Sequence, residues 1–327
     1  MKRIGHLFEE LVSFPNLLKA AKKARQGCGK TQESCRFFYY LETEILALQR
    51  SLFSGDYRPG SYRYFTVYDP KERSIAVAPF RDRVVHHALV LVLTPVFEPC
   101  FIFDSYATRP GKGTHAAIQR AQTFLRKKFW FLKADIHKFF DSVDHDIMIS
   151  ILKRKIKDQK LLDLLELIVR NTEIPGVGLP IGNLTSQFLA NVYLNPFDHQ
   201  IKDHYRIKHF IRYMDDFVLF ADSKQFLLDM WEVAGNILQE RLALKLKQGG
   251  VWLNHSGHGL SFLGHCIYPG MIRVRGKNLR RSLKRLQSKQ KSRDKGYIHE
   301  EHLVKSLSSS IGQLRNFNPQ LPIGVWV

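Results

Sequence analysis

The alternation of apolar and polar positions divides this chain into helices and strands before any motif is considered. Residues 1 to about 60 carry helical spacing and a partly basic surface, with turn signals at Gly27, Gly29, Gly55 and Pro59–Gly60. From 61 to 80 the period shortens to two. Tyr62, Tyr64, Val67, Ile75 and Val77 predict a strand pair that turns near Asp69–Pro70. An apolar helix is expected from Arg81 to Phe97, and one rich in Ala, Gln, Lys and Arg over 114–129. The run FWFLKADI (129–136) reads as an apolar strand ending on an aspartate. Helices are expected within 143–170 and 184–207. The run HFIRYMDDFVLFAD (209–222) reads as a second strand pair, with a polar centre at Met214–Asp215–Asp216 and apolar flanks.

The tail has a different character. Between Met271 and Gly296 stand eleven Lys or Arg and one acidic residue. Leu279, Leu283 and Leu286, spaced i, i+4, i+7, give a helix one apolar seam. Arg280, Arg281, Lys284, Arg285 and Lys289 occupy its other faces. A cluster of one sign repels itself unless an anion lies near, so Arg280, Arg281, Lys284 and Arg285 are candidates for phosphate contact. The whole chain agrees, with a net charge of +20. Neutralised phosphates release counterions and favour binding, which makes a nucleic acid the expected partner.

Composition excludes other classes. With 327 residues and 44% hydrophobic positions the chain can bury a sizeable core in two or three lobes. No apolar run reaches the roughly 18–20 residues that span a bilayer, and the N-terminal stretch lacks the apolar core of a secretory signal. A cytoplasmic protein without membrane contact is expected. Cys28, Cys35, Cys100 and Cys266 form no CxxC pair and read as reduced structural thiols. The fourteen histidines show no HExxH spacing, and His86–His87 lies in an apolar stretch that suits packing or hydrogen bonding better than metal.

Carboxylates carry the chemistry. Asp135 ends one apolar strand, and Asp215–Asp216 occupy the tight turn between two others. Buried strands do not hold adjacent aspartates without a compensating partner. A functionless polar turn is one reading. A site for divalent ions, which take hard oxygen ligands, is the other.

The surrounding motifs favour the second reading. Tyr213-Met214-Asp215-Asp216 resembles the YxDD hairpin of reverse transcriptases, and LKADIHKFFDSVDH, containing Asp135, resembles the first carboxylate motif of that family. LPIGNLTSQFLANVYLN (179–195) is similar to the intervening loop and helix, and GLSFLGHCI (259–267) to the primer-grip strand. KERSIAVAPFRDRVVHHAL (71–89) resembles the fingers, and SYATRPGKGTHAAI (105–118) a segment of group II intron enzymes. Six motifs in family order, over roughly 60 to 270, are far more specific than YMDD alone.

The resemblance implies RNA-directed DNA synthesis from dNTPs with two Mg2+ ions, or Mn2+ in their place. Such ions, about 3.5–4 Å apart, lower the pKa of the attacking 3′-hydroxyl and neutralise the leaving pyrophosphate. Asp135 and Asp215 would ligate both ions, Asp216 would be a weaker or outer ligand, and the carbonyl of Ile136 a further one. Phe140 would be the steric gate against a 2′-hydroxyl, although Phe139 beside it leaves the register open. Lys71, Arg73 and Arg81 are candidates for the triphosphate. Lys245 or Lys247 would protonate pyrophosphate, and Gly182 would let the backbone approach the template–primer pair.

One departure narrows the subfamily. Most members carry QGxxxSP where this chain has Ile181-Gly182-Asn183-Leu184-Thr185-Ser186-Gln187. The IGxxxSQ form, with Ile181, Gly182 and Gln187 at the nucleotide, resembles enzymes of diversity-generating retroelements, which copy template RNA with errors at adenines in mutagenic retrohoming. That likeness implies a bacterial, archaeal or phage source, a structured element RNA and a small basic accessory protein. A defence-associated or intron-derived reverse transcriptase is the alternative. An RNA-dependent RNA polymerase, and an inactive nucleic-acid-binding protein, are rivals outside the class.

The implied fold is α+β: a right-hand polymerase with fingers, a palm of antiparallel sheet bearing the YMDD hairpin, and a short helical thumb. The expected divisions are 1–130 for the N-terminal extension and fingers, 131–270 for the palm with interleaved fingers helices, and 271–327 for the basic thumb. RNA–DNA heteroduplex would lie between fingers and thumb.

Overall fold

A computed structural model describes residues 3–26, 31–68 and 72–315. Four helices open the chain, α1 (Leu7–Val12), α2 (Phe14–Gln26), α3 (Gln32–Tyr39) and α4 (Leu41–Ser54). The strands β1 (Arg63–Tyr68) and β2 (Glu72–Val77) form the expected antiparallel pair, with Tyr64 opposite Ala76. Helix α5 (Phe80–Phe97) follows. Its sequence is apolar on nearly all sides, which suits a helix buried all round rather than a surface helix. It packs on α2 and on α10, below. Buried Asp82 accepts hydrogen bonds from the Tyr57 hydroxyl (2.7 Å) and the Gly60 amide (2.7 Å), which satisfy its charge. His86 on the same helix is buried, and neither ring nitrogen meets a partner.

Helix α6 (Thr114–Leu125) leads into β3 (Trp130–Asp135). The stretch expected to be helical over 143–170 holds two helices, α8 (His145–Lys153) and α9 (Gln159–Arg170), preceded by a single turn, α7 (Phe139–Ser142). Asp158, between α8 and α9, accepts from the amides of His6 (3.0 Å) and Leu7 (2.6 Å) and so caps α1. Helix α10 (Leu184–His199) stops short of 207 and passes into a π turn over 200–204.

The central sheet is antiparallel, in the order β4-β5-β3-β6, with β4 (Phe210–Tyr213), β5 (Asp216–Ala221) and β6 (Trp252–His255). Helix α11 (Lys224–Leu242) lies between β5 and β6 in sequence. Alternation sorts the strands onto two cores. Leu132, Ala134, Phe217 and Leu219 join the large core with α5, α10 and α11, whereas Phe131, Val218 and Phe220 join a smaller one with α6. Both faces are covered, so the strands read as near-continuous apolar runs. The segment 259–267 is not one strand. β7 (Leu260–Phe262) and β8 (His265–Ile267) form a hairpin whose turn residues, Leu263 and Gly264, are left-handed, and β9 (Ile272–Val274) completes the small sheet.

The tail folds into two helices, α12 (Gly276–Asp294) and α13 (Glu300–Arg315), which pack on each other. Leu279, Leu283 and Leu286 form the half-buried side of α12, and no residue of that helix is fully buried. Among the described residues no helix is long and apolar enough to cross a membrane. Cys35, Cys100 and Cys266 form no disulfide, and Cys28 lies outside the described residues.

Candidate active site

The sheet brings two distant carboxylate motifs to one edge. β3 runs out at Asp135, and β4 turns into β5 through Met214 and Asp215. The register places Asp135 opposite Asp216. The Ile136 amide donates to the Asp215 carbonyl (3.2 Å), which ties the turn to the end of β3. A second segment grips Asp135 from the other side. The Lys247 amide donates to the Asp135 carbonyl (3.0 Å), and the His137 amide to the Lys245 carbonyl (2.8 Å). Ile136 bridges Leu246 there, and because flanking residues make both bonds, the Ile136 carbonyl takes no part in them.

The turn itself is strained. Met214 has φ 53°, a left-handed conformation that costs a side-chain-bearing residue roughly 1–3 kcal/mol and persists only where surroundings over-determine it. Arg212 supplies that constraint. Its guanidinium, 0% exposed, donates to the Met214 carbonyl (3.1 Å). It also forms a bidentate pair with buried Asp198 (Nε–Oδ1 2.7 Å, Nη2–Oδ2 2.6 Å) and donates to Asn191 Oδ1 (3.2 Å) and Ser105 Oγ (3.2 Å). Tyr213 Oη lies 3.1 Å from Thr114 Oγ1. An arginine fork suits this task, since each donor has a fixed direction.

Electrostatics at the edge are unfavourable for bare carboxylates. Burial first, and then the charge of Asp135 within hydrogen-bonding reach, push the Asp215 carboxyl up to about 7. Burial also raises Asp216, but the Lys133 ammonium opposes that shift from 3.2 Å. Lys247 Nζ stands 3.4 Å from Asp135 Oδ2. Among the described residues no three His, Cys, Asp or Glu side chains gather tightly enough to hold an ion by themselves. The carboxylates that could share a divalent cation at this edge are Asp135 and Asp215. Two hard oxygen ligands that repel each other gain from such a charge, while Asp216 is held by Lys133.

A second group of residues surrounds the strand end. Lys138 is left-handed (φ 41°) and starts α7. Phe139 is 2% exposed in the large core, whereas Phe140 keeps part of its ring at the surface, which settles which of the two rings is accessible. The Phe140 carbonyl accepts from the Leu179 amide (2.7 Å), so the loop leading to Ile181 is tied to the gate candidate. The same loop docks on β2, where the Ala76 amide donates to the Ile181 carbonyl (2.7 Å). Gly182 has φ 114°, and a Cβ there would lie 2.8 Å from Ile75 Cγ2 and 3.0 Å from the Ala76 carbonyl. The close approach that this glycine permits is to β2 of the chain itself.

Other candidates lie apart. Arg81 is engaged elsewhere, donating to Ser51 Oγ (2.7 Å) and lying over the Tyr57 ring (5.4 Å). Arg73 is exposed on β2, and Lys71 lies outside the described residues. Gln187 is half-buried in the first turn of α10. Arg280, Lys284 and Arg285 are exposed on α12, with Arg281 half-buried, and α12 is joined to the β7–β8 turn by Asn278 Nδ2 donating to the Gly264 carbonyl (3.2 Å). Sequence reasoning missed three residues of this region. Arg212 and Asp198 were not singled out, and Asn183 read as loop, although it is buried with its Nδ2 unpartnered beside Gly182. The helical spacing of Asp198 with Asn191 and Phe188 was the available signal for a buried carboxylate.

Known proteins agree with this geometry. Residues 69–265, more than half of the 327, match the family model described as reverse transcriptase (RNA-dependent DNA polymerase). Protein YkfC of Escherichia coli is 26% identical over 287 residues, covering 73% of this chain and 74% of that protein. The group II intron-encoded protein LtrA of Lactococcus lactis is 28% identical over 169 residues, but the match spans 49% of this chain and only 28% of LtrA. Among solved structures, apo telomerase from Candida tropicalis, truncated from its C-terminal domain, superposes with a TM-score of 0.50 at 11% identity, covering 72% of this chain and 60% of that one. This last likeness concerns the fold alone, which is the right-hand polymerase arrangement of α+β elements. With motif order, strand register and family match in agreement, the chain belongs to the reverse transcriptases, the RNA-directed DNA polymerases.

Proposed function

We propose that this polymerase copies a template RNA into cDNA by two-metal nucleotidyl transfer, with Asp135 and Asp215 as the principal ligands and Asp216 as an outer one. The observation that carries this reading is the juxtaposition of Asp135 with the Met214–Asp215 turn, where two carboxyls stand against each other. Bound Mg2+, or Mn2+, would supply Lewis acidity at the attacking and leaving oxygens. The chain's own groups do the rest. The Ile136 carbonyl would add a ligand. Phe140 would exclude a 2′-hydroxyl, and Arg73, with Lys71, would meet the triphosphate. Lys247, already beside Asp135, is better placed than Lys245 to protonate pyrophosphate. Residues before about 130 and the helices around α8–α10 would form fingers, and α12–α13 the thumb, with Arg280, Arg281, Lys284 and Arg285 along the heteroduplex.

The IGNLTSQ segment supports a diversity-generating element as the source of the template, with errors at adenines. Ile181 would offer the incoming nucleotide shape without a hydrogen bond, and apolar contacts discriminate weakly. A structured element RNA and a small basic accessory protein would complete that system. A second reading is favoured by the relatives, several of which are intron-encoded proteins. Extension of a DNA primer on RNA, with product sequencing, separates them. Errors concentrated at template adenines, reduced by Ile181→Gln, support the mutagenic reading. Accurate copying by the native chain favours the intron-like one. No synthesis with either metal and with the element RNA present would overturn both.

A further inference from the structure

The opposite end of the central sheet carries charge and exposed aromatic rings that polymerisation does not use. Five residue steps along β3 separate Trp130 from Asp135, about 17 Å at the rise of a strand. At the Trp130 end the chain gathers Lys127 and Lys128 before β3, Lys208 and His209 before β4, Asp222 and Lys224 after β5, and His255 at the end of β6 with His258 beyond it. Arg120 and Lys202 share one buried carboxylate, Asp104, at 2.8 and 2.6 Å, so that group leaves a net positive charge. Lys128 pairs with Asp222 (2.6 Å). Lys127, Arg206 and Lys208 are exposed. His209 sits among Lys128, Lys127, Lys202 and Arg120; burial and then these charges hold its ring below the usual histidine range.

Exposed aromatic rings accompany these cations on both sides of the sheet. Phe129 is 64% exposed and nearly parallel to the His255 ring, with centroids 6.4 Å apart and planes at 17°. His258 lies 5.9 Å beyond His255. Phe103, 66% exposed, has Lys112 Nζ 3.3 Å and Arg120 5.3 Å from its centroid. Exposed phenylalanines and unbalanced lysines are each unfavourable alone. A polyanion with flat apolar faces relieves both, and single-stranded nucleic acid is such a ligand, since bases stack on rings while phosphates meet cations. A basic protein would be repelled, and an acidic one would satisfy the charge but not the stacking planes.

We propose that this end of the sheet is a second nucleic-acid site, which holds unpaired bases and phosphates of an RNA away from the carboxylates. It would let the polymerase keep hold of a structured part of its template while another part is copied. The idea rests on the polymerase reading only for the identity of the partner as RNA.

The full chain decides it. A fluorescein-labelled hairpin RNA with an unpaired loop is titrated in the presence of excess blunt RNA–DNA duplex, which occupies the copying site but offers no free bases. The variants are Lys127→Ala/Arg206→Ala/Lys208→Ala and, separately, Phe129→Ala, each checked for an unchanged melting temperature. Removing three phosphate contacts should weaken hairpin binding at least about tenfold and lower its salt dependence by about two in log–log slope. Phe129→Ala should weaken it about fivefold or more, as loss of one stacked base does. Primer extension on a simple template should stay at the native rate. Native hairpin affinity in the triple variant overturns the proposal and leaves the polymerase reading standing. So does displacement of the RNA by polyglutamate as effectively as by oligouridine, which would assign the face to an acidic protein. Hairpin binding at this face in a chain that never extends a primer would sink the polymerase reading alone.

Discussion

The β4–β5 pair and the β1–β2 pair are both two-stranded units of this molecule, and they are built in opposite ways. The first is held at every point. Arg212 anchors the Met214 carbonyl, Ile136 anchors Asp215, and Tyr213 meets Thr114. The second has every residue of β1 exposed, including Tyr64, Phe65 and Tyr68, while β2 meets the loop at 181–182 through Ile75 and Ala76, with a main-chain bond from Ala76 to Ile181. Rigid carboxylates need a frame that cannot relax away from their mutual repulsion. A strand pair proposed to meet an entering triphosphate through Arg73 needs freedom of approach instead.

The largest expected effect lies at the held turn. Asp215→Asn should reduce the rate of nucleotide incorporation by at least about a thousandfold, because a metal ligand worth several kcal/mol is lost. Thermal unfolding should show equal or greater stability, since burial and Asp135 disfavour the native charge at that position. A variant that is both inactive and much less stable would break the comparison. Next comes Arg212→Met. It leaves Asp198 buried without a partner and should cost about 3–5 kcal/mol in denaturant unfolding. Adding Asp198→Leu should recover much of that stability while incorporation stays low, because nothing then fixes the Met214 carbonyl. Full recovery of activity would show that Arg212 serves stability only.

Gly182→Ala tests the link between the two regions. The new methyl meets Ile75 and the Ala76 carbonyl at a positive φ, so a loss of about 1–3 kcal/mol is expected. Its kinetic effect should fall mainly on KM for dNTP. An equal fall in kcat alone would place the damage at the carboxylates. The smallest effect belongs to Phe65→Ser, which should change stability by no more than about 0.5 kcal/mol by the same unfolding measurement. A larger loss would mean that the hairpin face is covered in solution.

These differences also explain what could be read in advance. Asp135 and Asp215–Asp216 were legible because each interrupts an apolar run that alternation marks as strand. Phe140 carried a neighbour in doubt, since the sequence alone does not say which of two adjacent phenylalanines faces the core; Phe139 is the buried one and Phe140 the more accessible. β6 was not foreseen. Trp252-Leu253-Asn254-His255 has no clean alternation, and it is an edge strand with one neighbour, β3. The break between β7 and β8 rests on Leu263, a residue that rarely turns left-handed. Arg212 and Asp198 escaped notice for another reason. A buried ion pair and two solvated charges look alike in sequence, and their union depends on α10 lying against β4. The docking of Ile181–Gly182 on β2 is likewise a contact between remote segments.

The register that sets Asp135 opposite Asp216 has a consequence for the order in which the molecule forms. These partners are about eighty positions apart in the chain, and β6 joins β3 from still farther along, so the sheet closes late, after local helices exist. Closing it brings like charges together. The final pairing is thus opposed by the very groups it assembles. If these carboxylates carry catalysis, primer extension is expected to appear only once β3, β5 and β6 are in register, and its recovery during refolding would time that last step.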